Sequence, residues 1–216
     1  MDVYMPKEVE ALSIFYGERL TKLQKYGSVT GHLEALSKRM HEGAQTKQSC
    51  ILKEISNYHP QFLGKSTKEL EEINFSLNDC KITIANEYGF ALWTDVESLH
   101  ATAYDLEFEK AVNALLCGEI DLLTALVSNR PALVRQRSQY GHGATLLHYT
   151  ASNGVEMWRQ KVPKNLQEII CFLLESGTEK AATMKVYGGD FDTKTLLASS
   201  VHPAEVGLLE ELLILF

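Results

Sequence analysis

Apolar residues along this chain recur at steps of three and four, and no segment alternates apolar and polar residues over six or more positions. That pattern argues against half-buried strands and calls for helices that bury their apolar stripes against one another. From Pro6 to about Tyr26 the stripe is Val9, Leu12, Ile14, Phe15, Tyr16, Leu20 and Leu23. Pro6 suits a first helical turn, and Gly27 is expected to end the segment. Leu33, Leu36 and Met40 predict a helix over about 31–41, and Ile51, Leu52 and Ile55 another over about 47–58, stopping before His59-Pro60. Three hydroxyl residues precede an acid by three positions: Ser66/Glu69, Ser76/Asp79 and Thr94/Glu97. Each pair reads as a capping box, which places helix starts near 67, 77 and 95. Gly89 should close the helix from 77, with Phe90 and Trp93 filling the corner behind it.

Charge narrows the functions open to such a chain. Acidic residues number 28 against 21 basic ones, a net of −7. The excess is even, since residues 1–104 carry 11 basic and 14 acidic residues and residues 105–216 carry 10 and 14. Nucleic-acid binding needs a basic patch or stripe, so no nucleic-acid partner is expected. The longest aliphatic or aromatic run, Ile169–Leu174, is far below the roughly 20 residues of a membrane-spanning helix, so no membrane association is expected either. Residues 1–12 hold Asp2, Lys7, Glu8 and Glu10 and no apolar core, which argues against a secretory leader. Cys50, Cys80, Cys117 and Cys171 are too far apart for a metal knuckle or a redox pair. They read as buried reduced thiols in a cytoplasmic protein.

The second half is built from similar units. Phe108 to Cys117 reads as a helix, Gly118 as a turn and Asp121 to Val127 as a return helix. Thr145-Leu-Leu-His148 opens a second unit that returns through Leu166–Leu174 and closes at Gly177, and Asp192–Ser200 opens a third that returns through Leu208–Phe216. This half resembles the ankyrin repeats, whose first helix opens with a T-P-L-H-x-A run. Thr145, Leu147 and His148 match it; Leu146 replaces the proline and Thr150 the alanine. The resemblance implies that the Thr hydroxyl and His ring bond neighbouring backbone, and that Gly141-His-Gly143 and Gly188-Gly189 lie in turn fingers. Residues 155–165 are then an insertion. Ala85-Asn-Glu-Tyr-Gly-Phe-Ala-Leu-Trp93 is similar to an A-x-E-Y-G-F-x-x-W corner found ahead of ankyrin repeats in a group of microbial proteins, as are the stretches 142–160 and 200–204; no activity comes with it. Residues 55–62 also echo 127–133, so the first half is open to containing a degenerate repeat.

The expectation is therefore an all-α protein: an ankyrin-like stack of about three repeats over 105–216, one carrying an insertion, after a helical N-terminal region over 1–104. The joint falls within 102–107. Catalytic motifs are missing: there is no H-E-x-x-H, G-x-S-x-G or phosphate loop. A Cys117–His148 nucleophile pair and a zinc site from His142, His148 and His202 are weak readings, and neither cofactor nor metal is expected. A non-catalytic role in binding a protein partner fits better. The insertion would contribute Glu156, Trp158, Arg159 and Gln160, Trp and Arg being enriched at binding hot spots. The concave face would contribute Tyr140, His142, Tyr149, Asn153, Tyr187 and His202. Against this, Trp158 could plug the gap under the insertion, and Glu156 with Arg159 could be a local surface ion pair. The alternative function is a small-molecule or hydrolytic site between the insertion and the third repeat, around Arg159 and His202. Leu212–Phe216 lacks charge and a cap, so cover by the first half, by a partner or self-association, or by further chain all stay open.

Overall fold

The computed structural model describes residues 3–216, so Asp2 lies outside the described residues. Helices dominate, and the chain divides into two compact units. One is Lys7–Tyr104; the other joins residues 3–6 to Asp105–Phe216.

The unit Lys7–Tyr104 holds α1 (Lys7–Tyr16), α2 (Val29–Gln45), α3 (Ser49–Tyr58), α4 (Thr67–Leu70), α5 (Leu77–Glu87) and α6 (Trp93–Ser98). The first helix is shorter than its stripe predicts. Gly17 adopts φ +56°, which breaks the helix, and the chain goes on as 3₁₀ turns at Gly17–Arg19 and Leu23–Lys25. Ile14, expected inward, is 76% exposed, because the buried face of α1 takes only Val9, Leu12 and Tyr16. Ser66 and Ser76 do form capping boxes with Glu69 and Asp79. The third box is displaced: the Leu92 N–H donates to Asp95 Oδ2 at 2.9 Å, so α6 starts at Trp93 and Thr94 lies inside its first turn. Helix α5 packs on α2 and α3, and α1 and α4 on α3. Leu33, Leu36, Met40, Ile51, Leu52, Ile55 and Ile84 are buried between them. Phe90 is buried in the corner, while Trp93 is half-buried with Lys81 Nζ 4.8 Å from its ring.

The second unit holds β1 (Val3–Tyr4), α7 (Leu106–Leu116), α8 (Ile120–Asn129), α9 (Leu146–Tyr149), β2 (Val162–Pro163), α10 (Leu166–Glu175), β3 (Thr183–Val186), β4 (Gly189–Asp192), α11 (Thr193–Ala198), α12 (Val201–Glu205) and α13 (Leu209–Leu213). Asp105 caps α7, its Oδ1 accepting from the N–H groups of Glu107 and Phe108, and Arg130 holds the other oxygen at 2.7 Å. Helix α7 packs on α8 and α9, α9 on α10 and α11, and α13 on α10 and α11. Their shared core runs through Phe108, Leu115, Leu123, Leu147, Ile169, Ile170, Leu173 and Leu197. Two antiparallel ladders correct the purely helical expectation: β1 with β2, and the β3–β4 hairpin. At two and four residues each, they are too short to show as alternation over six. The return segment 208–216 is helical only over Leu209–Leu213, with α12 before it.

All four cysteines are free thiols, but only Cys80 is buried; Cys50 and Cys171 are half-buried and Cys117, just past the end of α7, is exposed. Among the described residues, no helix is long and apolar enough to cross a membrane.

Candidate functional site

The residues singled out by sequence separate into two groups. Tyr140, His142, Tyr149, Glu156, Trp158 and Arg159 are buried in the core of the second unit. Asn153, Gln160 and His202 are half-buried, and Tyr187 is exposed. The six buried residues are therefore closed to a partner as the chain is folded, which corrects their assignment to a binding face.

Most of them gather around Arg159. Arg159 closes a 3₁₀ turn, Met157–Arg159, that carries its side chain inward to 0% exposure. An isolated guanidinium could not be buried there, because desolvating a charge costs several kcal/mol unless it is paired. Here Nη2 donates to Glu109 of α7, while Nη1 donates to Glu156 Oε1 at 3.1 Å and to the Tyr149 hydroxyl at 3.3 Å. The rings of Trp158, Tyr149 and Tyr140 lie 4.7, 5.5 and 5.8 Å from the guanidinium carbon and present their negative faces to it. The Glu156–Arg159 pair, expected at the surface, is thus an internal one. Burial pushes the Glu109 carboxyl up against the pull of Arg159. At Glu156 burial acts the same way, but the charge of Arg159 and the neighbouring His142 outweigh it and hold the carboxyl below its ordinary range.

His148 is engaged through both ring nitrogens, and His142 through one. His142 Nδ1 accepts from the Ala144 N–H at 3.0 Å, which leaves the ring proton on Nε2, 3.7 Å from Glu156 Oε1. His148 Nδ1 accepts from the Thr145 N–H at 3.1 Å, and its Nε2 donates to the Ala182 carbonyl at 3.0 Å. Burial lowers His148 to about 4. With both nitrogens committed, His148 has no lone pair for Cys117. No group of His, Cys, Asp and Glu able to hold a metal ion occurs among the described residues, so the His142–His148–His202 zinc reading is not met. The alternative site around Arg159 and His202 loses Arg159 to the core.

What reaches the surface is the β3–β4 hairpin. Its register pairs Val186 with Gly189, leaving Tyr187-Gly188 as a two-residue turn. Both turn residues have positive φ, +53° and +76°, as a type I′ turn demands. Asn, Asp and Gly fill such positions readily, whereas a bulky residue there is strained. Tyr187 nevertheless sits there with 68% of its surface exposed. Its hydroxyl donates to Asn153 Oδ1 at 2.6 Å, and Asn153 Nδ2 in turn donates to the Leu196 carbonyl and Ser199 Oγ. Gln160 is turned back into the insertion, donating to the Val155 carbonyl at 2.9 Å. His202 lies beside Glu205, at 3.3 Å, and the Tyr4 ring.

Sequence reasoning missed Glu109 and Tyr4. An acid in the first turn of a helix reads as a partner of the helix dipole, which hides the buried role of Glu109. No protein-family model matches the chain, and no curated protein and no solved structure matches it significantly.

Proposed function

We propose that this chain is a non-catalytic recognition protein of the ankyrin-repeat type, which engages a protein partner through the 183–192 hairpin and the adjoining Asn153 and Ser199. The observation that carries the reading is Tyr187, an aromatic residue held at positive φ on an exposed turn. Strain of this kind persists where function selects it, and an exposed aromatic side chain on a rigid hairpin is a typical binding anchor. Tyr187 fills no core: its ring meets only the edge of Phe191 across the hairpin, with centroids 6.5 Å apart. The ankyrin-type reading rests on the Thr145–His148 bonds and on the tie from His148 to Ala182, beside the hairpin that precedes α11. The non-catalytic part rests on the buried acids, histidines and arginine being spent on one another. Acidic net charge speaks for a protein rather than a nucleic-acid partner, and the free thiols suit a reducing, cytoplasmic setting.

Affinity capture from native lysate with wild type beside Tyr187→Asn tests this. A protein retained by wild type and lost by a variant with an unchanged circular dichroism spectrum is the expected result. Equal retention by both would move the contact away from the hairpin. A thermal shift of the wild type with a metabolite, absent any protein partner, would sink the reading.

A further inference from the structure

Asn153-Gly154, the chain's one Asn-Gly pair, lies in the bend that follows α9. Such a pair is labile, because a backbone nitrogen with no Cβ beside it can reach the preceding Asn side-chain carbonyl and close a cyclic imide. The fold nevertheless requires glycine here. Gly154 has φ +75°, and a Cβ would press on Leu196 Cδ2 and both Val186 methyls at 3.3 Å. One hydroxyl touches both reacting groups of this pair. Tyr187 donates to Asn153 Oδ1 at 2.6 Å, and the Gly154 backbone is hydrogen-bonded to the same hydroxyl. A donor thus sits on the carbonyl that must take up charge, and an acceptor sits beside the N–H that must lose its proton. Asn153 Nδ2 bonds the Leu196 carbonyl at 3.1 Å and Ser199 Oγ at 3.0 Å, which fixes the side chain in one orientation.

We propose that Asn153-Gly154 is a self-modification site, at which the folded chain converts the Asn153 amide to aspartate and isoaspartate with the Tyr187 hydroxyl as proton relay. The Gly154 nitrogen attacks Asn153 Cγ and forms the new C–N bond. Its proton passes to the Tyr187 oxygen while the hydroxyl gives its own proton to Oδ1. The tetrahedral carbon then expels Nδ2 as ammonia, which takes the proton from Oδ1, and the imide remains. Water, the sole co-reactant, adds to either imide carbonyl and opens the ring to aspartate or isoaspartate. The reaction needs no partner. Its product carries a new negative charge at the foot of the hairpin and lacks the Nδ2 that bonds Leu196 and Ser199, so the tie between this bend and α11 is lost as the protein ages.

Incubation of the purified full chain at neutral pH, with peptide mass mapping and an isoaspartate assay at intervals, tests this. The native wild type should lose the Asn153 amide faster than the same chain unfolded in urea. Isoaspartate at 153 should accompany the loss, because direct hydrolysis of the amide gives aspartate alone. Tyr187→Phe keeps the ring and removes the relay, so it should slow the native reaction on the order of a hundredfold. A native chain that keeps its amide while the unfolded chain loses it overturns the proposal, since the hydrogen bonds at Asn153 would then be a protective clamp. A Tyr187→Phe protein that reacts as fast as wild type overturns it too. Should Tyr187→Phe fail to fold, the comparison of native with unfolded wild type decides alone.

Discussion

Each unit of this protein buries two glutamates, and the two solve the resulting problem differently. In the second unit, Glu109 and Glu156 flank the Arg159 guanidinium. In Lys7–Tyr104, Glu54 of α3 is hydrogen-bonded to Glu87 at the end of α5, and the Tyr16 hydroxyl lies 2.9 and 3.1 Å from the two Glu54 oxygens. Here burial, and after it the charge of Glu87, raises the Glu54 carboxyl well above its ordinary range. Glu54 therefore holds its proton more tightly than an ordinary glutamate and can donate it to Glu87. One pair is neutralised by a cation and the other by a shared proton. The cation cannot be titrated away in the working range, and the proton can. The same residue type thus makes one acid pair insensitive and the other sensitive to a rise in pH.

The largest way to break that contrast is to remove the cation. Arg159→Met should destabilise the second unit by about 3–5 kcal/mol, because two carboxylates are left buried with no partner. The triple variant Glu109→Gln/Glu156→Gln/Arg159→Met should recover most of that loss. The chain has two tryptophans, Trp93 in one unit and Trp158 in the other. Urea unfolding followed by fluorescence in a Trp93→Phe background therefore reports on the second unit alone. If Arg159→Met unfolds at the wild-type midpoint, the ionic core is not what holds the insertion in place.

Next in size is the response to pH. The imidazole of His148 falls to about 4 in the fold from about 6.5 in an unfolded chain. Its neutral form is the folded one, so stability is full above pH 6.5 and declines as pH falls toward 4, by on the order of 3 kcal/mol. Asp105, held well below its ordinary value chiefly by Arg130, adds a loss of the same sign below the usual carboxylate range. Glu54 runs the other way. Its raised value gives stability that is complete below about pH 4 and is lost as pH rises through the folded value. Unfolding midpoints read by Trp158 should drop between pH 6.5 and 4, and His148→Asn should flatten that drop. Midpoints read by Trp93 should fall as pH rises above the ordinary glutamate range, and Glu54→Gln should remove that fall at a cost of about 1 kcal/mol in neutral solution. Parallel pH profiles for the two tryptophans would dissolve the distinction between the cores.

The helices that carry these acids were largely legible in the sequence. Leu33–Leu36–Met40 and Ile51–Leu52–Ile55 mark α2 and α3, and Ser66 and Ser76 mark α4 and α5, because stripe and cap are local features. The acid pairs were not legible. Glu54 and Glu87, or Glu109 and Arg159, come together only once helices pack, and a Glu or Arg met in sequence reads as surface because such residues are rarely buried unpaired. For that reason the insertion looked like a binding patch, although Trp158 and Arg159 close the core. Tyr187 was recognised by type, while its strain emerges only from the backbone.

The smallest expected effect is the one closest to function. At Tyr187 the fold accepts a left-handed backbone under a bulky side chain, next to Gly188 in a type I′ turn. Asn-Gly is the favoured pair for that turn, so Tyr187→Asn relieves strain while giving up the hydroxyl bond to Asn153. These terms oppose each other, about 1–2 kcal/mol of left-handed strain against about 1 for an exposed hydrogen bond, and leave a gain of up to about 1 kcal/mol. Urea midpoints in the Trp93→Phe background measure it. Tyr187→Phe keeps the strain and loses the bond, so it should be slightly less stable than wild type. Together the two variants separate the aromatic ring from the turn that carries it. A Tyr187→Asn protein that is more stable yet binds less would mean that the ring is kept for recognition, against the preference of its own backbone. Lower stability would mean instead that the Tyr187–Asn153 bond holds the hairpin, and the tyrosine would then need no partner to explain it.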